Sequence, residues 1–246
     1  MSRLALLLAV VLGLPSAALA APPLACPYPM ATATAGVAAG SMPRLAAALA
    51  ARRLEVVAVG SGSMMSVRGR PVGSFVDDMA QNLRASVPGL QITLTVQGER
   101  GLGSAAMLGL LRKQLALHKA PLVIWQTGTV ESVRKRPVAD FTRDLDAGAE
   151  MVRAAGGELI LVDPLYSRML MERANVAPYR EAMAAAAQRH GATLFSRFAL
   201  LRRWTEMGLF EMEATPKPEQ AQAADQRSRC LGQALAEVVL HAAGGS

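Results

Sequence analysis

Pro121-Leu122-Val123-Ile124-Trp125, running into Gln126-Thr127-Gly128-Thr129, is the stretch that decides the fold. It is a continuous apolar run, β-branched at its centre, that stops at a glycine-bearing turn. A strand with one wet face alternates apolar and polar residues, whereas a strand covered on both faces stays apolar throughout. The run therefore predicts a sheet sandwiched between two layers of helices. The segments around it agree. Leu54-Glu55-Val56-Val57-Ala58-Val59 is a second β-branched run, stopped by Gly60, and Gln91–Val96 reads as a third strand. Glu158-Leu159-Ile160-Leu161-Val162 is a fourth, halted at Asp163-Pro164, and Ala192–Phe195 a short fifth.

Helical periodicity fills the gaps. Met42–Arg53 reads as a short helix. Phe75, Met79 and Leu83 recur every four residues, as do Met107, Leu111 and Leu115, which marks one buried face on each helix. Phe141, Leu145 and Val152 give the next, ended by Gly156-Gly157. Tyr179–His190 and a closing Arg227–His241 complete the set. Strands alternating with helices imply right-handed crossovers and an all-parallel sheet. Such sheets bind ligands outside the carboxyl ends of their strands. Three glycine-bearing turns fall there: Gly60-Ser61-Gly62-Ser63, Gly101-Leu102-Gly103-Ser104 and Thr127-Gly128-Thr129.

The ends of the chain carry their own signals. Arg3, the apolar run Leu4–Leu14 and the small residues Ala18-Leu19-Ala20 read as a cleavable signal peptide over residues 1–20. The run is shorter than the roughly 20 residues of a membrane span, and no later stretch is apolar enough to be one. The expected location is periplasmic or secreted, with an uncleaved anchor as the alternative. Residues 21–45, rich in Ala, Pro, Thr and Gly, read as an extended leader lying on a domain that spans 46–246. The two cysteines, Cys26 and Cys230, are most simply a disulfide in an exported chain. Lipidation of Cys26 and a pair of unrelated buried thiols are the other readings.

The 26 Lys and Arg outnumber the 19 Asp and Glu, for a net charge of +7. These charges are scattered, and the densest run, Arg134-Lys135-Arg136, reads as a solvated loop. Aromatics make up only 4% of the chain. That leaves no stacking platform for single strands and argues against a nucleic-acid partner. Attraction to anionic envelope polymers or lipid headgroups stays open.

The order of the glycine turns resembles the SGNH/GDSL hydrolase family. Val57-Ala58-Val59-Gly60-Ser61-Gly62-Ser63 is similar to its first block, a G-x-S turn after the first strand. Arg100-Gly101-Leu102-Gly103 is similar to its glycine block. Val123 to Glu131 is similar to its G-x-N-D block, with Val130-Glu131 where Asn-Asp would stand. Leu161-Val162-Asp163-Pro164-Leu165-Tyr166 matches a stretch common in bacterial members. Arg229-Cys230-Leu231 resembles the start of the terminal helix. Counting back from it puts Glu219 and Gln222 at the Asp and His positions of the late D-x-x-H block, with Asp225 just beyond. The resemblance implies a three-layer α/β/α sandwich, a flavodoxin-like five-strand parallel sheet in the order 2-1-3-4-5.

It also implies a chemistry that these residues do not supply. In the family a serine attacks an acyl carbonyl, a histidine takes its proton, and an acid orients the histidine. The oxyanion is held by backbone N–H groups and an asparagine. Here the nucleophile position holds Gly62, the asparagine position Val130 and the base position Gln222, while Gly103 is retained. Losing one oxyanion donor costs about 10²–10³ in rate. Losing nucleophile or base costs on the order of 10⁶ in a serine protease. An amide such as that of Gln222 has no pKa with which to shuttle a proton near neutrality.

Ser61 and Ser63 flank the gap, and a one-residue slip of the turn presents either as a surrogate nucleophile, Ser63 being on the helix side. Their alternative role is to cap the turn. Glu219 or Asp225 would then be the base, although a carboxylate with a pKa near about 4 activates a hydroxyl poorly. His118, His190 and His241 each fall in the last turn of an expected helix, where a cation suits the dipole. None has the spacing of a metal site, and no cofactor or metal is expected. Three functional readings follow. The first is a catalytically degenerate homologue binding an acylated or carbohydrate envelope ligand, which makes a small molecule or glycan its partner. The others are an active esterase or acyltransferase with a displaced serine, and a structural accessory protein of the envelope.

Overall fold

The structure is a computed structural model that describes residues 26, 34, 36–65, 74–210 and 217–245, with side chains in the last run from residue 220 onward. The signal peptide expected over 1–20 lies outside the described residues, as does most of 21–35.

Five strands form one all-parallel sheet: β1 Arg53–Ser61, β2 Gln91–Glu99, β3 Leu122–Gln126, β4 Glu158–Val162 and β5 Thr193–Phe195, in the order β2-β1-β3-β4-β5. The register pairs Val57 with Val123, Ile124 with Ile160 and Leu161 with Leu194. The order expected from the resemblance is the order found. Apolar runs without alternation arise because both faces are covered. Val56, Ala58, Leu122, Ile124, Ile160 and Val162 point into one core. Val57, Val59, Val123, Trp125, Leu159 and Leu161 point into the other.

The first core is closed by α1 Pro43–Ala50, α2 Phe75–Ser86 and the long C-terminal helix. The second is closed by α3 Ser104–Leu117, α5 Val138–Ala154 and α7 Ala177–His190, with α4 Thr129–Val133 and α6 Arg168–Arg173 as short connectors. α8 Arg197–Glu206 and α9 Lys217–Ala242 follow β5. α1 begins inside the stretch read as leader. Its free N–H groups are met by the Glu158 carboxylate, which accepts from Arg44 N at 3.1 Å and Leu45 N at 2.9 Å.

Residues 40–42 are tied to the end of α9, with Gly40 N and Met42 N donating to the carbonyls of His241 and Ala242. Cys26 and Cys230 are joined as a disulfide, Cα atoms 5.3 Å apart, which fastens the N-terminal segment to α9. Where α9 crosses α2, a Cβ on Gly232 would stand 2.3 Å from Asp78 Cβ and 2.7 Å from the Phe75 carbonyl, so only glycine lets the helices approach this closely.

Two helix boundaries are corrected: the helix expected over Met42–Arg53 ends at Ala50, and Arg53 instead opens β1. The final helix starts at Lys217, ten residues before the expected Arg227. Pro218 is tolerated in a first turn, and residues 219–226 are mostly good helix formers. Glu219, Gln222 and Asp225 therefore stand on the helix rather than in a loop before it.

Candidate functional site

The three glycine turns do meet at the carboxyl edge of the sheet. β1 runs through Ser61 into a tight 3₁₀ turn, Gly62–Met64, beside the end of β3. Gln126, the last residue of β3 and only 1% exposed, sits between the two serines of that turn. Its Nε2 donates to Ser61 Oγ at 2.9 Å, and its Oε1 accepts from Ser63 Oγ at 3.1 Å. Ser63 Oγ in turn accepts from Arg197 Nη1 at 3.0 Å. The hydroxyl of Ser63 thus gives its proton to an amide carbonyl and has a lone pair covered by a guanidinium. No histidine touches either serine among the described residues.

Arg197 is the unforeseen member of this chain of bonds. It is the first residue of α8, 2% exposed, and its Nε and Nη2 have no hydrogen-bond partner among the described residues. Burial pushes its pKa down to about 10, against the pull of Asp163, and the neighbouring Arg227 cation pushes the same way as burial. Its guanidinium carbon lies 5.9 Å from the Phe75 ring centre.

Gly62 is half-buried, and a Cβ there would meet Arg100 Cβ at 3.3 Å and its Cα at 3.4 Å. Val130 turns its Cγ1 toward Gly103, 3.8 Å from where a Cβ on that glycine would be. The next residue, Glu131, is the organising group. It is 2% exposed, and its carboxylate accepts Ser104 N at 2.5 Å and Gly128 N at 2.9 Å. Thr127 Oγ1 lies 3.5 Å away. Gly128, with φ +91, is placed where only glycine is unstrained, and opens α4 so that Glu131 folds back onto it. An internal carboxylate therefore holds the glycine-block turn against the β3 turn.

Below this, Ser104 Oγ donates to Asp144 Oδ2 at 2.6 Å, and Arg136 pairs with Asp144 while Tyr179 OH donates to the Arg136 carbonyl. Of the basic run, Arg134 and Lys135 are exposed as expected, but Arg136 is half-buried in this network. Asp163, fully buried at the end of β4, accepts Ser196 Oγ at 2.9 Å, Phe198 N at 2.8 Å and Arg180 Nε at 3.1 Å. It anchors the start of α8 and so sets the position of Arg197. Burial raises its carboxyl pKa against those bonds.

The structure thus brings Ser61, Gly62, Ser63, Gly103 and Val130 to the strand ends and adds Gln126, Glu131 and Arg197. No side chain of the late block bonds either serine among the described residues. Gln222 is exposed on α9. Asp225 Oδ2 accepts Arg229 Nε at 3.1 Å, and its Oδ1 has no partner among the described residues. The side chain of Glu219 lies outside the described residues. Each histidine is bonded elsewhere: His118 to Glu55, His190 to Asp146, and His241 Nε2 to the Val37 carbonyl. No three His, Cys, Asp or Glu side chains gather as a metal site among the described residues, and no helix there is long and apolar enough to cross a membrane.

Known structures share this architecture. A catalytic mutant of Axe2, an acetylxylan esterase from Geobacillus stearothermophilus, matches with a TM-score of 0.59 at 15% identity over 78% of this chain and 95% of its own. LAE5, an alpha/beta hydrolase enzyme from the metagenome of Lake Arreo, Spain, matches at 0.55 and 17% identity over 73% and 95%. The psychrotrophic esterase EstA from Pseudoalteromonas sp. matches at 0.52 and 17% over 70% and 93%. At such identities these likenesses establish the fold and leave the reaction open. No curated protein matches the chain. The non-GDSL lipase-like family, by contrast, matches residues 25–245, nearly the whole length, so this chain belongs to that family, built on the SGNH/GDSL hydrolase architecture.

Proposed function

We propose that this protein is an exported family member that has kept the strand-end site for binding an acylated or carbohydrate ligand of the envelope and has lost ester cleavage. One observation carries the reading. The exposed hydroxyl at the turn, Ser63, is bonded to an amide and a guanidinium and, among the described residues, to no base. An amide oxygen cannot take up its proton near neutral pH, so the hydroxyl stays an alcohol. The neighbouring position is Gly62, which has no side chain, and Val130 has no donor to offer an oxyanion. Export rests on the disulfide, which persists in oxidising compartments, and on the signal-like first twenty residues.

The test is turnover of short p-nitrophenyl esters by purified mature protein. The expected result is a rate no higher than that of the Ser63→Ala, Ser61→Ala double variant. Activity that the double variant abolishes would establish a displaced-serine esterase instead. That rival has one point in its favour: Arg197 Nη1, 3.0 Å from Ser63 Oγ, would stabilise an alkoxide.

A further inference from the structure

The guanidinium of Arg197 is placed in an unusual way for a buried cation. Its Nη1 reaches Ser63 Oγ, which leaves Nε and Nη2 without partners among the described residues. These two are the donors that lie side by side along one edge of the guanidinium plane. Their parallel N–H bonds are spaced for the two oxygens of a carboxylate or phosphate. A charge this buried is ordinarily paired. Asp163 is close enough to favour the cation, but its oxygens are taken by Ser196, Phe198 N and Arg180. A second cation, Arg227, is half-buried nearby and has no hydrogen bond or ion pair among the described residues.

We infer that the free edge of Arg197, beneath Ser63 at the carboxyl end of β1, is the receptor for an oxyanion, a carboxylate or phosphate group carried by the ligand. An anion there supplies the two missing acceptors and neutralises the repulsion between Arg197 and Arg227. The bond from Nη1 to Ser63 Oγ holds the guanidinium by one nitrogen and leaves the Nε and Nη2 donors for the anion. This inference rests on the reading of the strand ends as a binding site, and narrows its ligand to one bearing an anionic group.

The experiment is thermal stabilisation and calorimetric titration of the full mature protein with sodium phosphate and, separately, sodium acetate, against sodium chloride at matched ionic strength. Wild-type protein is expected to be stabilised by at least one of the two oxyanions. The phosphate arm points to a phosphorylated ligand and the acetate arm to a carboxylated one. Arg197→Lys keeps the charge and loses the fork, and should weaken binding tenfold or more. Arg197→Met should abolish it, and Arg173→Gln, an exposed cation elsewhere, should leave it unchanged. No response to either oxyanion overturns the inference, as does a response that Arg197→Lys or Arg197→Met retains or that Arg173→Gln removes. Ester turnover is read separately, so a protein that binds oxyanions yet cleaves esters would refute loss of catalysis without touching the Arg197 site.

Discussion

Glu131→Ala should be among the most damaging substitutions in this protein, although no chemistry is assigned to the residue. The carboxylate is buried and accepts two backbone N–H groups, at 2.5 Å from Ser104 and 2.9 Å from Gly128. Hydrogen bonds to a charged group contribute about 1.5–3 kcal/mol each. The Thr127 hydroxyl at 3.5 Å adds little. Truncation to alanine leaves both amides unpaired in a site that water reaches poorly, so the loss is on the order of 3–6 kcal/mol. For a domain of this size about 2–4 °C of Tm accompanies each kcal/mol, which places the fall at roughly 6–24 °C. Glu131→Gln keeps one acceptor and turns its NH₂ against an N–H, and should lose about half as much. Urea unfolding followed by circular dichroism measures both. An alanine variant within about 1 kcal/mol of wild type would refute the claim that this carboxylate clamps the two turns together.

Arg197→Met should stabilise the ligand-free protein. Burial lowers the pKa to about 10, so the charged form costs the folded state about 3 kcal/mol. Because the folded state releases its proton near pH 10 and the unfolded state only at higher pH, the cost is complete at neutral pH and eases only above pH 10. Subtracting about 1 kcal/mol for the bond to Ser63 leaves a net gain of about 2 kcal/mol by denaturant unfolding at pH 7. A destabilised variant would show that the charge is compensated. The double variant Cys26→Ala, Cys230→Ala releases a link of sequence separation 204, worth about 5 kcal/mol in the chain-entropy account, and should lower Tm by roughly 10 °C or more. An unchanged Tm would mean that the bond constrains little. Gly62→Ser should fold, since Arg100 need yield only a few tenths of an ångström, and should remain inactive on p-nitrophenyl acetate. Appreciable turnover would reveal a base that the geometry does not contain.

The sheet was legible because burial on both faces writes itself into the sequence: Leu122–Gln126 and Glu158–Val162 carry the apolar runs that two cores require. Helix ends were less legible. The start of α9 is hard to read because residues 219–226 are small and polar, with no apolar stripe, and only their propensity marks them as helical.

The site was half legible. Turn glycines are local and show in the sequence, but the side chains gathered over them come from distant elements. Arg197 reads as one more surface cation beside Arg202 and Arg203. Yet it shares a stripe with Leu201 and Trp204, at i, i+4 and i+7, and that spacing placed it on the buried face of α8. Glu131 also had a signal, since it stands three residues after Gly128, at the spacing of a capping box. Gln126 is the polar residue that ends a fully buried strand. The pairing of Ser63 with both Gln126 and Arg197 joins positions 63 and 134 residues apart, and nothing local encodes it.

Labelling with a serine-reactive fluorophosphonate tests the central claim most directly, because the reagent attacks only a hydroxyl activated by a neighbouring base. The account predicts an intact mass, unshifted after incubation at neutral pH, while a competent esterase under the same conditions is modified. A stoichiometric adduct mapped to Ser63 or Ser61 would contradict it.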